Sequence, residues 1–213
     1  MQLRHACYDH PMPRKRLTRE ESRDLTRERL LEAAAVTIAK KGLAASSVED
    51  IAAHAGYTRG AFYSNFKSKN DLFIELLKRD HADIQQGLQE ILDAGLSIDD
   101  MQKQLAKFYV QAYCGETSFV LWAEARLQSM RDARFRTRLN ALLMEKRDVI
   151  AYFIEKFCGL MGKTLPAPAK DLAFGTMALI DGVRFFNDSM PNELSDEAAQ
   201  KMLSAIFTAT FFS

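Results

Sequence analysis

Helical patterning extends along almost the whole chain, and it limits the possible folds more than any other feature of the sequence. Apolar residues recur at spacings of three and four, as with Leu31, Ala34 and Ile38 in the first such segment. One stretch, 105–113, resembles a strand, but its flanks are helical. The sequence therefore predicts an all-α protein with about nine helices.

Capping signals divide this pattern into separate helices. Thr18 to Glu21 has the sequence of a capping box, and Gly42 supplies the stop of the helix that follows. Ser46 to Glu49 is interpreted as a second capping box, which opens a short helix that ends at Gly56. A turn and another short helix come next, and Ser68 is then placed to cap a long helix. Two short helices joined by a tight turn predict a helix-turn-helix.

The composition is that of a folded protein in a reducing compartment. Of 213 residues, 47% are hydrophobic and 27% are charged, which excludes wholesale disorder. No apolar run reaches the roughly 18 residues of a membrane span, and the first residues lack the apolar core of a secretory signal. Three widely spaced cysteines, Cys7, Cys114 and Cys158, form no CxxC pair. We therefore expect a cytoplasmic protein with no membrane partner.

The charge is unevenly distributed between the two ends of the chain. Residues 1–72 contain thirteen Lys/Arg against nine Asp/Glu, whereas residues 73–213 contain sixteen against nineteen. A basic N-terminal part suits a polyanionic partner, although a solvated charged segment gives the same composition. Either Met1 or Met12 can serve as the start; a start at Met12 leaves residues 1–11 as an extension.

The stretch TRGAFYSNF has the residue types of a helix that reads DNA. Such a helix offers its first residues to base edges in the major groove. Arg59 can pair with guanine and Thr58 can reach a base or a phosphate, while Gly60 and Ala61 permit close approach to the groove floor.

Residues around this helix are suited to phosphate contacts. They are Ser46, Ser47, Tyr63, Ser64 and Lys69. A polar helical hairpin without any partner remains an alternative explanation of the same residues.

The inner side of the same helix is apolar. Phe62 and Phe66 lie four residues apart and are expected to pack inward against Ile51.

The segment RERLLEAAAVTIAKKGLAASSVEDIAAHAGYTRGAFYSNFKSKNDLF resembles the DNA-binding domain of the tetracycline-repressor (TetR) family almost without a gap. The resemblance covers about 47 residues. Ile38 departs from the pattern, because the family usually has an aromatic residue there.

The resemblance implies a homodimer of nine-helix chains, with an N-terminal helix-turn-helix domain and a C-terminal ligand-binding and dimerisation domain. We expect a flexible basic arm at 1–22, the DNA-binding domain at 23–69 and the second domain at 70–213. Helices 4–7 would surround a ligand cavity, and helices 8 and 9 would pair with those of a second chain. The residues that the resemblance places on a double-stranded DNA operator are Ser46, Ser47, Thr58, Arg59, Gly60, Ala61, Tyr63, Ser64, Asn65 and Lys69.

The apolar content of the last two helices supports a dimer independently of the resemblance. FGTMALIDGVRFF has apolar residues on more than one helical face, and the final helix adds Met202, Leu203, Ile206, Phe207, Phe211 and Phe212. Folding of these helices onto their own domain is the alternative.

Candidate ligand contacts follow from the expected position of each helix around the cavity. They are Phe73, Leu77, His81, Phe108, Tyr109, Tyr113, Phe119, Trp122, Arg126, Phe153, Met177 and Asp181, with Glu124, Met130 and Phe185 in a wider set. Trp122 and Arg126 would present an aromatic plate and a cation on one face, although a surface cation–π pair has the same spacing. For each aromatic residue, core packing is the competing explanation.

The sequence contains no catalytic or metal-binding pattern. GxSxG, HExxH and a Gly-rich phosphate loop are absent, and His81 has no second ligand at metal spacing. We therefore expect a regulator without enzymatic activity, metal or cofactor, a repressor that a small, mostly apolar effector releases from a palindromic operator. An activator of the same family, or a helical ligand- or protein-binding module without DNA binding, is the alternative.

Overall fold

The computed structural model describes residues 18–113, 116–207 and 209, and these residues form nine α-helices without a strand. The helices are α1 (Arg19–Lys41), α2 (Val48–His54), α3 (Arg59–Asn65), α4 (Lys69–Asp93), α5 (Ile98–Tyr113), α6 (Glu116–Arg131), α7 (Ala133–Leu160), α8 (Ala169–Ser189) and α9 (Asp196–Phe207). The predicted all-α class is confirmed.

The caps agree with the sequence at α1 and differ by one residue at α2. Thr18 and Glu21 form the predicted capping box of α1. At α2 the box consists of Ser47 and Asp50, whose side chains accept each other's backbone N–H groups at 3.0 and 3.2 Å. The predicted box from Ser46 to Glu49 is therefore wrong, because the extended backbone of a cap occurs at Ser47.

Two glycines with positive φ make the turns on either side of α2. Gly42 ends α1 at φ 78°, and Gly56 follows α2 at φ 77°. Helix α1 begins at Arg19, inside the segment 1–22 that was expected to be a flexible arm. Residues 1–17 lie outside the described part of the chain.

Helices α1–α3 do not have a core of their own. Their apolar faces share one cluster with the first turns of α4, the middle of α6 and the first half of α7. Phe73 of α4 stacks on Phe135 of α7 with ring centroids 5.8 Å apart, and both side chains are fully buried. The boundary at residue 69 thus crosses a continuous core.

Two smaller clusters hold the rest of the molecule together. One joins the second half of α4 to α5 and α7, and the other joins α7 to α8. Cys158 is a buried free thiol at the end of α7, whereas Cys7 and Cys114 lie outside the described residues. No helix in the described segments combines the length and the hydropathy of a membrane span.

Helices α8 and α9 bury one side and leave apolar side chains in solvent on the other. Ile180 and Val183 face inward. The exposed apolar side chains of the two helices are Phe174, Phe185, Phe186, Met202 and Ile206, and Met190, the C-cap of α8, is exposed as well. The sequence-based expectation of uncovered apolar surface thus agrees with these positions, while Phe211, Phe212 and the side chain of Phe207 lie outside the described residues.

Candidate functional site

The first turn of α3 is open to solvent. Thr58 caps the helix, because its side-chain oxygen accepts the N–H of Ala61 at 3.3 Å. Thr58, Arg59 and Gly60 are all exposed. A Cβ on Gly60 would meet no atom nearer than Thr58 Oγ1 at 3.7 Å. This edge of α3 is therefore thin and accessible, as the groove floor of DNA requires.

Arg59 is held between two neighbours on the exposed surface. Its guanidinium lies 3.0 Å from a carboxylate oxygen of Glu49 on α2 and 5.5 Å from the ring centroid of Tyr63. Sequence reasoning missed Glu49, because no local pattern indicates a pair that forms across the turn between two helices. The pair aligns the guanidinium before any partner arrives.

The opposite face of α3 is buried as expected. Phe62 and Phe66 are 0% and 3% exposed and share the core with Ile51, which confirms the predicted inward packing. Arg27 of α1 lies over the Phe66 ring at 4.5 Å and donates to the carbonyl of Asn65 at 2.7 Å. Helix α3 is thereby fixed against α1.

Not every predicted DNA contact has a free side chain. Ser47 and Tyr63 are exposed. Ser64 is also exposed, although its hydroxyl donates to the Gly60 carbonyl at 2.7 Å. Asn65 is half-buried, with its amide nitrogen 2.8 Å from the Ala61 carbonyl.

The structure corrects the predicted phosphate contact of the Ser46 hydroxyl. Its side chain is 1% exposed, and its hydroxyl donates to the Gly42 carbonyl at 2.7 Å. The hydroxyl therefore holds the turn between α1 and α2 and does not face solvent.

Lys69 also has partners within the protein. Its ammonium donates to the carbonyl of Ser46 at 2.6 Å and to that of Leu43. Partial burial lowers the pKa of this lysine. The side chain thus ties α4 to the turn, and only one of its three N–H donors remains for a phosphate.

A groove runs between the start of α1 and α3. Its volume is about 760 Å³, and its lining includes Arg19 and Arg23 of α1 with Tyr57, Ala61 and Ser64. Sequence reasoning assigned Arg19 to the arm. The spacing of four between Arg19 and Arg23 on a capped helix indicates that both cations lie on one face of α1.

A partly buried polar cluster lies between α4, α6, α7 and α8, and we call it the Lys146 cluster. It consists of Asp80, His81, Trp122, Arg126, Lys146 and Asp181. Lys146 is 7% exposed and lies 4.6 Å from the centroid of the Trp122 ring. The indole N–H of Trp122 donates to Asp80 at 2.7 Å. Four predicted ligand residues, His81, Trp122, Arg126 and Asp181, are thus brought together.

Burial dominates the electrostatics of this cluster. It lowers the pKa of Lys146, and the nearby carboxylates of Asp181 and Asp80 partly oppose this shift. It raises the pKa of Asp181, which Arg126 and Lys146 oppose. It also lowers the pKa of His81, whose buried Nδ1 has no hydrogen-bond partner among the described residues. A buried charge such as that of Lys146 is costly for stability, so its presence favours a functional role.

Trp122 and Arg126 have different partners in the structure, and their role as one ligand-binding face stays a prediction. Lys146 is the cation over the Trp122 ring, and Arg126 forms an ion pair with Asp181. Sequence reasoning missed Lys146 and Asp80. Lysine at a core position of α7, in line with Leu142 and Ile150, is the available signal.

The remaining ligand candidates divide between core and surface. Phe73 and Leu77 are buried in the core shared with α1–α3, so they do not line free space. Phe119 is half-buried on α6, and Met177 packs against the α7–α8 cluster. The side chains of Tyr109 and Tyr113 lie outside the described residues, as does any contact they make. Of the wider set, Met130 and Phe185 are exposed.

A second cavity lies between the end of α4 and α5. It has a volume of about 280 Å³ and is lined by Phe108, Gly87, Ile91 and Leu96, with Glu90 and Lys107 as charged neighbours. Phe108 also packs on the cluster that contains Phe153, which is itself 4% exposed. Phe108 therefore lines space, whereas Phe153 is a core residue.

Within the described ranges, no group of three or more His, Cys, Asp or Glu side chains could hold a metal ion.

Comparison with known proteins gives a consistent result for the N-terminal helices. The family described as "Bacterial regulatory proteins, tetR family" matches residues 30–76. The HTH-type transcriptional repressor KstR2 of Mycolicibacterium smegmatis is 44% identical over 72 residues, which are 33% of this chain and 35% of that protein. The chain spans between 32% and 42% of the length of the curated relatives that it matches over 69 to 85 residues.

Two further likenesses extend over most of the chain. The HTH-type transcriptional regulator TtgR of Pseudomonas putida is 30% identical over 186 residues, which are 86% of this chain and 77% of that protein. A solved structure of a transcriptional regulator from Saccharomonospora viridis in complex with choline has a TM-score of 0.71, covering 87% of this chain and 96% of the other. At 22% identity, this second likeness concerns the fold alone.

Proposed function

This chain belongs to the tetR family of bacterial regulatory proteins, which are DNA-binding transcriptional regulators and not enzymes, and from that premise we propose that it is a repressor controlled by a small-molecule effector. The observation that carries the proposal is the exposed first turn of α3, with Thr58, Arg59 and Gly60 above a buried Phe62 and Phe66. The similar protein KstR2 is named as a repressor, which supports repression rather than activation. An activator is the alternative within the same family.

The proposed partner is a palindromic operator on cytoplasmic double-stranded DNA. A homodimer would place two copies of α3 in successive major grooves, with half-sites about one helical turn or slightly more apart. Arg59 would read a base, while Ser47, Tyr63, Ser64 and the remaining donor of Lys69 would contact phosphates. Thr58, Gly60, Ala61 and Asn65 complete the proposed surface. The cations Arg19 and Arg23 in the groove beside α3 add to its positive charge.

The exposed apolar side chains of α8 and α9 support the proposed homodimer. An isologous partner that uses the same two helices would cover Phe174, Phe185 and Ile206 in both chains. A shared four-helix bundle is the simplest such arrangement.

The proposed effector binds near the Lys146 cluster. Polar groups beside the buried Trp122 ring would suit a small, mostly apolar molecule with one polar or charged group. The cluster joins α4, α6, α7 and α8, and α4 begins at Lys69 beside the DNA-reading helices. An effector that binds one arrangement of these helices more tightly would change the distance between the two copies of α3 in the dimer.

Selection of DNA fragments from a random pool tests the proposal directly. The full chain should enrich a palindrome with half-sites about one turn apart. Compounds are then screened for release of that complex. Failure to enrich any palindrome would favour the alternative of a different class, a helical ligand- or protein-binding module.

A further inference from the structure

The turn between α1 and α2, residues 42–46, is held by side chains from two later helices. The N–H of Leu43 donates to Oε2 of Glu124 on α6 at 2.8 Å. The carbonyl of Leu43 accepts from Lys69 at the start of α4. The Leu43 side chain is 2% exposed in the shared core. One residue of the turn is therefore fixed at its N–H, its carbonyl and its side chain.

Glu124 also lies close to Gly42, the residue before Leu43. A Cβ on Gly42 would lie 3.2 Å from Glu124 Oε1. Gly42 also has a φ of 78°, which disfavours any residue with a side chain. The contact thus joins α6 to the backbone of the turn, which moves less freely than a surface side chain.

Several hydrogen bonds hold the turn, and it leads directly into α2. The Ser46 hydroxyl donates to the Gly42 carbonyl, and the next residue, Ser47, is the cap of α2. Helix α2 in turn carries Glu49, which pairs with Arg59 on α3. A displacement of the turn would therefore reach α2 directly, and it would reach α3 through the core that the two helices share.

Helix α6 carries the Lys146 cluster on its other side. Trp122 and Arg126 lie one turn apart, whereas Glu124 lies midway between them in sequence and so points about 160° away from each. Glu124 was among the wider set of ligand candidates, but its carboxylate faces the turn and not the cluster. Helix α6 thus contacts the Lys146 cluster through Trp122 and the turn before α2 through Glu124.

We propose that Glu124 is a positioning residue through which α6 sets the orientation of the DNA-reading helices, so that displacement of α6 at the Lys146 cluster changes operator affinity. The inference rests on the proposed function, because an effect on affinity requires DNA binding. A carboxylate that accepts a backbone N–H is a charge-assisted bond, and its removal leaves a partly buried N–H without an acceptor.

Hydrogen–deuterium exchange without DNA tests the contact itself. The variants are Glu124→Ala and Glu124→Gln, with Glu155→Ala on α7 as a control that removes the same charge from an exposed position. In Glu124→Ala, exchange of the peptide that contains residues 43–50 should be about fivefold faster or more, while exchange in α7 is unchanged. Glu124→Gln keeps an acceptor oxygen and should give an intermediate value, and Glu155→Ala should match the parent.

Anisotropy titration with the palindrome selected by the parent protein tests the consequence. Glu124→Ala should bind about five- to tenfold more weakly, with partial rescue in Glu124→Gln and no change in Glu155→Ala. Unchanged exchange in the turn overturns the inference, as does faster exchange with unchanged affinity. If Glu124→Ala does not fold, the test relies on Glu124→Gln. The inference is then overturned if Glu124→Gln changes neither the exchange rate of the turn nor the operator affinity. A parent protein that binds no palindrome refutes the proposed function, while the exchange measurement still decides whether Glu124 holds the turn.

Discussion

At the residue scale, the proposed DNA-reading face contains a side chain that is already oriented in the free protein. Arg59 is held between Glu49 and Tyr63, and both contacts are exposed. An exposed ion pair contributes little to stability, so DNA can replace it at small cost. The pair therefore restricts the orientation of the Arg59 guanidinium but leaves it able to contact DNA.

We predict that Arg59→Ala reduces discrimination at one base of the half-site by about 1–3 kcal/mol, because a bidentate contact with guanine is lost. Gel-shift titrations against the selected palindrome and single-base variants measure this loss. The control is Lys103→Ala, which removes one positive charge from an exposed position on α5. Unchanged affinity and specificity in Arg59→Ala would contradict a reading role.

Lys69 differs from the expectation of a simple phosphate contact. Replacement with Met leaves the carbonyls of Leu43 and Ser46 without their donor, so Lys69→Met should lower the free energy of unfolding by about 1–2 kcal/mol. Lys67→Met, two residues earlier and exposed, should change it by less than about 0.5 kcal/mol. Urea unfolding compares the two variants. Equal stabilities would mean that the Lys69 bonds contribute nothing measurable.

At the scale of helices, a close approach between α4 and α5 depends on a single glycine. A Cβ on Gly87 would lie 2.8 Å from Cζ of Phe108 and closer still to Cε2. The Phe108 ring fills this space and borders the cavity between the two helices. The packing of α5 on α4 is therefore sensitive to one methyl group.

We predict that Gly87→Ala costs about 1–2 kcal/mol of stability, because the Phe108 ring must move and the gain in helix propensity does not compensate. Gly159→Ala on α7 is the control, since a Cβ there meets nothing within 4 Å and should stabilise the protein by up to about 1 kcal/mol. Thermal unfolding of both variants measures the difference. A stabilised Gly87→Ala would show that α5 moves without cost.

The helices were predictable from the sequence, whereas many of their contacts were not. Periodicity and caps identified α1 and α4, because these signals are local. Two adjacent serines gave no basis for choosing Ser47 over Ser46 as the cap of α2, and only the backbone conformation decides. Lys146 over Trp122 arises from the packing of α7 on α6, which no local pattern encodes.

At the scale of the whole molecule, the exposed apolar face of α8 and α9 determines the predicted assembly. Phe185→Glu places a charge at a side chain that is 55% exposed, and it should convert a dimer to a monomer at about micromolar concentration. Val36→Glu on α1, at a side chain that is 50% exposed, is the matched control and should remain dimeric. Light scattering measures the mass of each. A parent protein that is already monomeric would contradict the dimer.

The core that α1–α3 share with α4, α6 and α7 has a consequence for exchanging parts between regulators. A graft that joins a foreign sensor at residue 69 would remove Phe73, Leu121 and Phe135 from beneath the reading helices. A transferable unit must instead include the matching faces of α4, α6 and α7. Chimeras built from this protein should therefore keep the packed interface between α1–α3 and α4, α6 and α7 intact. Keeping that interface matters more than the residue at which the two chains are joined.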